Sequence, residues 1–562
     1  MMRLRAVRIA LQVFFFSAFV ASFVLLNRTP TAYSWPSEWF LRLNPLVALV
    51  VCVATRTLVW SVLAYGLAVA ALTVVFGRFF CGMICPLGAI VDFSDRFLVG
   101  QTWAHHRRPP QYLQRLKYVL LVGLGACAVF GVVMPLFMDP ISLLTRISTI
   151  VALPIANITA QDTLRALRWM QIPGFELISV RPLYFYGTAS ALALFGVVLA
   201  GGFVDKRFWC QYVCPSGALF GLLSRYAIFR RRVSAEKCNS CKLCARKCPT
   251  HAIHGERVQN TDVAECVVCG VCSEVRRVGC SSFGFGTLSV AQTTGANVNR
   301  RHVLGGVLGG LLVLPSLRAD GLLKRDNTGR FIRPPGAIPE KEFTARCIAC
   351  GQCMKVCPTN AIQPAALSDG LARWNSPKIV PRIGACEEKC SACGHVCPTG
   401  ALRALPYEEK RFDKIGTAVI DRHRCLPWAQ NKECLVCDES CPYNAIETKL
   451  VETTKGPYKA PVVYEDLCMG CGYCEFHCPI NDKAAIEVFR FGENRIASGP
   501  YVSDWQKQKM EERRRQSDSK GMFEKTGTPP PQEAPPGFLP ESGEPTAPKP
   551  AGNSDLPAGF VE

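Results

Sequence analysis

Histidine is scarce in this chain, with eight in 562 residues, at positions 105, 106, 251, 254, 302, 395, 423 and 477. None falls within the apolar stretches described below, so a b-type haem held by paired histidines inside a bilayer is excluded. No cysteine pair continues as C-x-x-C-H, which excludes covalent c-type haem. Acidic residues are also few, 44 against 64 lysines and arginines, for a formal net charge of +20. A nucleic-acid partner would need basic residues interleaved with aromatics, and no such stripe exists. Much of the positive charge flanks apolar segments instead, where it suits membrane topology and anionic headgroups. From about Ser517 onward apolar side chains nearly vanish in favour of Pro, Gly, Glu, Ser and Lys, so residues 515–562 are expected to be a disordered tail.

What is abundant is cysteine. Of 30 cysteines, 24 fall into six tetrads, four form two C-x3-C-P pairs, and only Cys52 and Cys127 stand alone. Cys238-Cys241-Cys244-Cys248, Cys347-Cys350-Cys353-Cys357 and Cys468-Cys471-Cys474-Cys478 follow C-x2-C-x2-C-x3-C-P, the spacing used for paired [4Fe–4S] clusters. Three thiolates wrap one face of a cubane, and the fourth, turned away by its proline, reaches the neighbouring cluster. Cys386-Cys390-Cys393-Cys397 and Cys425-Cys434-Cys437-Cys441 are looser versions. Cys266-Cys269-Cys272 has its fourth cysteine delayed to Cys280, which is tolerable for a ligand that only has to reach across. Four-thiolate zinc sites set two C-x2-C pairs a dozen or more residues apart, and thiols this dense would form disulfides in many ways at once. Six [4Fe–4S] clusters are therefore expected.

The first 230 residues read as a membrane domain. Ile9–Leu26, Leu58–Phe76, Tyr118–Phe137 and Leu183–Val204 are apolar runs of about the 20 residues a bilayer core demands. The first also has the profile of a signal peptide, and either reading leaves residue 27 outside the cytoplasm. Arg78, Arg96, Arg107, Arg108, Arg115 and Lys117 lie between the second and third runs, and Lys206, Arg207, Arg225 and Arg230–Arg232 follow the fourth. The positive-inside rule makes these segments cytoplasmic and turns loops 27–57 and 138–182 outward. The expected fold is a four-span helical bundle built from a duplicated two-span unit. Arg78-Phe79-Phe80-Cys81 through Cys85-Pro86 recurs as Arg207-Phe208-Trp209-Cys210 through Cys214-Pro215, and Asn44-Pro45 is echoed by Asp139-Pro140. Repeats of this kind pack about a pseudo-two-fold. Cys81, Cys85, Cys210 and Cys214 would then form one metal or iron–sulfur site, two local redox dithiols, or inert buried thiols. They are the redox-capable groups set symmetrically in this half, which puts them on an electron path across a core about 30 Å thick. Arg56, Asp139 and Arg146 are candidates for a quinol site, from their outer-loop positions and the scarcity of charge near spans; helix-end anchoring would explain them equally.

Residues 231–298 then form a cytoplasmic two-cluster ferredoxin module. Asn299-Arg300-Arg301-His302 precedes a glycine-rich apolar run to Leu317, so residues 299–320 read as an internal twin-arginine signal or short fifth anchor. Because cubanes are inserted in the cytoplasm, a domain bearing them must cross the membrane already folded. Residues 340–500 are expected to form an α+β ferredoxin-like module of four clusters, exported to the periplasm by that signal; a wholly cytoplasmic carboxy half is the alternative.

Two resemblances follow. Residues 1–290, with four spans, the C-x3-C-P motifs at Cys81/Cys85 and Cys210/Cys214 and two tetrads, resemble NapH-type (MauN-like) membrane components of quinol dehydrogenases. Residues 299–500 resemble the MauM/NapG ferredoxin-type proteins through Arg300-Arg301, Arg333-Pro334-Pro335-Gly336-Ala337, Cys347-Ile348-Ala349-Cys350-Gly351-Gln352-Cys353 and Gly416–Asp421. The combination resembles a natural fusion. It implies quinol oxidation in the bacterial inner membrane and delivery of electrons to a periplasmic acceptor, a c-type cytochrome or a reductase such as periplasmic nitrate reductase. The alternative it implies is an electron-supplying maturation factor, of the kind that accompanies methylamine dehydrogenase or nitrous oxide reductase. The four carboxy-terminal tetrads also resemble iron–sulfur subunits of molybdenum oxidoreductases, which implies nested pairing: the first with the fourth, the second with the third.

Overall fold

A computed structural model of the chain describes residues 4–25, 38–97, 111–133, 138–171, 174–175, 178–234, 236–253, 258–274, 280–286, 299–318, 329–453, 455–501, 508, 511, 512 and 515. The loop of His105 and His106, Lys324 and Arg325, and nearly all of the carboxy-terminal tail lie outside these residues.

The amino-terminal half is helical: α1 (Leu4–Val24), α2 (Pro45–Thr55), α3 (Trp60–Phe76), α4 (Pro86–Phe97), α5 (Gln111–Val129), α6 (Pro140–Ile147), α7 (Leu153–Trp169), α8 (Thr188–Ala200) and α9 (Pro215–Leu223). Val13, Phe14, Leu67 and Val197 point outward and are more than half exposed, as on a bundle with an apolar outer surface. Among the described residues, two helices are long and apolar enough to cross a membrane by length and composition, Leu4–Val24 and the continuous run Pro140–Trp169; Pro45–Thr55, Trp60–Phe76 and Thr188–Phe203 are apolar but shorter. The third expected span is interrupted, since its helix stops at Val129 and residues 134–137 lie outside the described set.

The segments read as outward loops are corrected by the structure. Asn44 and Asp139 cap α2 and α6 by accepting from the N–H of Leu46 and Ser142, and each is followed by proline at the first helical position, where a missing N–H costs nothing. The helices they start are so apolar that they run inside the bundle: Leu46, Val47, Val51, Ile141 and Leu143 are fully buried. A Cβ on Gly66 of α3 would lie 2.8 Å from that of Ala48 in α2, so glycine permits the close approach of these two helices. Pro45 packs beside the same glycine, ten residues or about 15 Å from the end of α3.

The double-arginine segment forms α10 (Arg300–Arg318). It packs along α5 through small residues: a Cβ on Gly306 would meet the Val119 carbonyl at 2.9 Å, and one on Gly310 would meet the Gly123 carbonyl at 2.7 Å. Close backbone contact of this kind is how helices associate where no hydrophobic effect drives them together.

The cysteine-rich regions form three copies of one unit. In the first, β1 (Phe229–Val233) pairs antiparallel with β2 (Ser281–Phe285), closing around both motifs between them. In the second, a bridge between Ala337 and Leu402 closes residues 347–397, and β3 (Ile362–Pro364) pairs with β4 (Pro377–Ile379) between the motifs. In the third, β5 (Thr417–Ile420) pairs with β8 (Ile486–Phe489), and the hairpin of β6 (Ile446–Thr453) and β7 (Gly456–Val463) separates the motifs. The second and third units both fall within the four-cluster module expected at 340–500.

These units occupy opposite ends of the bundle. At the carboxy end of α3, Phe76 makes edge contacts with Phe229 and Phe285 of the first unit, ring centroids 6.2 and 6.1 Å apart. At the amino end of α3, the Ser61 hydroxyl donates to the Pro398 carbonyl at 3.5 Å, and Asn360 donates to the Tyr184 carbonyl at 2.8 Å. Lys355 lies over the Phe23 ring near the end of α1.

Candidate metal centres

The regular motif C-x-x-C-x-x-C has to curl twice to aim three thiols inward. It does so by placing the residues on either side of the second cysteine in left-handed conformation: Ser240 and Lys242, Val268 and Gly270, Ala349 and Gly351, Gly470 and Gly472 all have positive φ. A left-handed turn is open to glycine without strain and is costly for Val268 and Ala349, and outliers of this kind cluster at functional sites. The looser motifs curl differently, with Ser391 at φ −127° and Leu435 at φ −113°.

Each described cavity among the cysteines is lined by ligands from both motifs of its unit. One holds Cys248 with Cys266, Cys269 and Cys272; another, Cys357 with Cys386 and Cys393; a third, Cys441 with Cys468, Cys471 and Cys474; a fourth, Cys478 with Cys425, Cys434 and Cys437. Cys397 in turn lies within electrostatic reach of Cys347, Cys350 and Cys353. The proline-flanked fourth cysteine therefore crosses to its neighbour, first motif with second and third with fourth. The nested pairing is corrected. Its physical obstacle is the chain itself: each hairpin folds its own two motifs face to face, and strands before and after clasp that pair as a unit.

Backbone and side-chain donors approach the crossing sulfurs. The N–H groups of Leu402, Ala445 and Ala485 point at the Sγ atoms of Cys397, Cys441 and Cys478 at 3.3–3.4 Å. Thr359 lies 3.6 Å from Cys357 Sγ. Donors to cluster sulfur raise a reduction potential. Burial pushes the Cys347 and Cys386 thiols up to about 11, so the thiolate form at neutral pH needs the charge of iron beside it. No group of three or more His, Cys, Asp or Glu among the described residues is arranged to hold a single metal ion. Four cysteines drawn from both motifs line each cavity, the donor set of a [4Fe–4S] cluster.

The duplicated C-x3-C-P motifs adopt the same local structure twice. Phe80–Ile84 and Trp209–Val213 are single π-helical turns, a form that recurs at functional sites. Cys85 and Cys214 follow with φ, ψ of −61°, 115° and −64°, 113°. The two motifs meet: Cys85 is within electrostatic reach of Cys81 and Cys210, and Cys214 of all three others. Phe80 stacks on Phe220 with centroids 5.0 Å apart. Asn44 and Ser216 both bond to Asp139, Ser216 at 2.7 Å. The caps of α2 and α6 therefore converge beside Cys214-Pro215, level with the middle of α3.

Two residues that sequence reasoning passed over hold these motifs in place, and one of them ties the first unit to them. Glu265, immediately before Cys266, accepts from Lys117 at 2.6 Å and from Arg78 at 3.0 Å, all three fully buried. Asp92 is shared by Arg8 and Arg207. Their signal lay in the repeat itself, since Arg78 and Arg207 open its two copies.

The quinol-site candidates do not converge. Asp139 sits at the thiol quartet, and Arg146, buried at the far end of the same helix, donates to the Ala349 carbonyl at 3.4 Å beside Cys350. Arg56 ends α2 in left-handed conformation on an exposed surface.

Comparison with known proteins finds 4Fe-4S families in these regions. One 4Fe-4S binding domain family matches residues 58–103, 188–236 and 393–414, and a second matches 232–254, 343–363 and 461–481. The chain is 39% identical over 158 residues to the methylamine utilization ferredoxin-type protein MauM of Methylophilus methylotrophus, covering 27% of this chain and 68% of that one. It is 38% identical over 171 residues to the ferredoxin-type protein NapG of Escherichia coli, covering 29% and 71%. The chain belongs to the MauM/NapG ferredoxin-type family. It is an iron–sulfur electron-transfer protein. The MauM/NapG match spans under a third of its length, and the helical bundle is additional to that part.

Proposed function

We propose that this MauM/NapG-type protein is a NapH-type fusion that oxidises quinol in the bacterial inner membrane and passes the electrons to a periplasmic acceptor, a c-type cytochrome or a reductase. The observation that carries this reading is the placement of ferredoxin units at opposite ends of one apolar bundle. On it, the bundle is multi-pass, the first unit is cytoplasmic, and α10 is an anchor that delivers the second and third units to the other face. Its 19 residues measure about 28 Å as a helix, close to a hydrocarbon core. The six tetrads are assigned one [4Fe–4S] cluster each, with Cys238, Cys241, Cys244 and Cys280 as the remaining set in the first unit.

Quinol becomes quinone by giving up two electrons and two protons, the protons leaving to water. Bound [4Fe–4S] clusters supply one-electron carriers. The protein's own residues set their order. Arg146 joins the bundle to the loop of Cys350, and Cys357 crosses to the set of Cys386. The last set, around Cys425 and Cys434, has the exposed Leu435 next to its ligand, which suits the exit to an acceptor.

The test is to add quinol to membranes holding the chain and follow the clusters by electron paramagnetic resonance. Reduction by quinol supports the reading, and clusters that respond only to chemical reductants sink it. The relatives named for methylamine utilization favour a second reading, supply of electrons during assembly of a periplasmic enzyme's metal or quinone cofactor. In that case a deletion strain would contain the partner enzyme without its finished cofactor.

A further inference from the structure

We propose that Cys81, Cys85, Cys210 and Cys214 together hold one further [4Fe–4S] cluster inside the helical bundle, through which electrons pass between the first and second ferredoxin units. Each 4Fe-4S family match in the bundle contains only one C-x3-C-P pair, too few thiolates for a cubane. Only the meeting of the two repeats supplies four soft ligands, the donor set that selects iron–sulfur clusters.

Three observations favour a cluster over two dithiols or inert thiols. First, the charges suit it. Arg78 is within electrostatic reach of Cys81 and Cys214, and Arg207 of Cys210, and both arginines are fully buried. Each shares its carboxylate with a second cation, Glu265 with Lys117 and Asp92 with Arg8. Buried arginines held this way leave positive charge facing the thiols, where a negatively charged cluster would be stabilised.

Second, buried donors around the quartet lack acceptors. Arg78 Nε, Ser142 Oγ and Trp209 Nε1 have no hydrogen-bond partner. Arg78 faces two of the thiols, Trp209 precedes Cys210, and Ser142 lies on the turn capped by Asp139. Unpartnered buried donors are rare in folded proteins, and cluster sulfur is an acceptor.

Third, the quartet lies between the two units. Gly82 has no room for a Cβ because the carbonyl of Val267, between Cys266 and Cys269, is pressed against it. On the other side, the seven residues from Asp139 to Arg146 rise about 10 Å, and Arg146 touches the loop of Cys350. Helix α3, with 17 residues, otherwise separates the two units by about 25 Å. A centre at the quartet divides that gap. Each step moves one electron: the donor cluster is oxidised by one, the quartet cluster is reduced and then reoxidised by the next, and no atoms are exchanged.

The site does not depend on quinol as the donor, so iron content tests it separately. The full-length chain, purified anaerobically in detergent, should hold about 28 irons and as many acid-labile sulfides, against about 24 for six tetrads alone. Cys85→Ser and Cys214→Ser should each lose about four, with the tetrad signals still present after chemical reduction. Cys127→Ser, buried elsewhere in the bundle, should lose none. About 24 irons in the wild type, or equal iron in Cys85→Ser and Cys127→Ser, would overturn the proposal. If the serine variants fail to fold, the wild-type count decides. In membranes where quinol reduces the wild-type clusters, Cys214→Ser should abolish reduction of the second and third units. A wild type with about 28 irons that ignores quinol leaves this site standing and removes the quinol reading alone.

Discussion

The backbone N–H of Cys386 donates to the carbonyl of Cys471 at 2.8 Å, joining a cluster ligand of the second ferredoxin unit to one of the third. Beside that bond lies Lys410, 3% exposed, whose ammonium donates to the carbonyls of Glu387 at 2.6 Å and Glu388 at 3.0 Å. Burial lowers the Lys410 pKa, but Cys386 and Cys471 on either side outweigh it, and the net shift is upward. A cation held between two centres stabilises their reduced, more negative states.

Lys410→Met should therefore lower the reduction potentials of the centres that include Cys386 and Cys471. A full charge at this depth is worth on the order of 50–100 mV. Redox titration followed by electron paramagnetic resonance reads it directly. Unchanged potentials would show that solvent screens the lysine from both.

Crossed ligation makes a prediction that nested pairing does not. Cys357→Ser and Cys386→Ser should remove the same cluster signal, and Cys347→Ser a different one. Likewise Cys478→Ser should match Cys425→Ser. If Cys357→Ser instead matched Cys347→Ser, each motif would hold its own cluster and the crossing would be wrong.

The packing of α10 on α5 separates an anchor from a surface segment. Gly310→Leu should cost about 1–3 kcal/mol by overpacking and lower the thermal midpoint in detergent. Gly305→Leu, with open space around it, should be tolerated. A reporter fused after Gly499 should be exported, and Arg300→Lys with Arg301→Lys should block it. A wild-type fusion that stays cytoplasmic would require a cytoplasmic acceptor.

Glu340 accepts from Arg333 at 2.7 Å, Arg373 at 3.0 Å and Arg495 at 2.7 Å. Burial opposes its charge, but these arginines hold its carboxyl down to about 2. A depressed carboxylate stabilises the fold above its unfolded value, near 4.5, and loses that contribution as pH falls toward 2. Glu340→Gln should cost about 2–3 kcal/mol at pH 7. Thermal melts should show the same deficit at pH 8 and pH 5. A deficit that grew as pH fell would contradict the assignment.

Cysteine spacing alone was enough to call for [4Fe–4S] clusters, because a cubane needs thiolates at short, regular intervals and few other centres do. The duplication of the bundle was equally legible, since Arg78 through Pro86 and Arg207 through Pro215 align without a gap and share the arginine, the following phenylalanine, both cysteines and the proline. Which cysteine serves which cluster was not. A fourth thiol can reach any neighbouring cubane, and hairpins formed by residues such as Pro364 and Pro377, or Thr453 and Gly456, decide which neighbour that is. The burial of α2 and α6 was hidden for a related reason. Hydropathy reads the length of an apolar run, and an 11-residue helix such as Pro45–Thr55 is too short to register as a span. Its place inside the bundle depends on a partner, Gly66, and on a cap, Asn44, that finds Asp139 95 positions away. Sequence determines which groups can bind iron; long-range packing decides which of them meet.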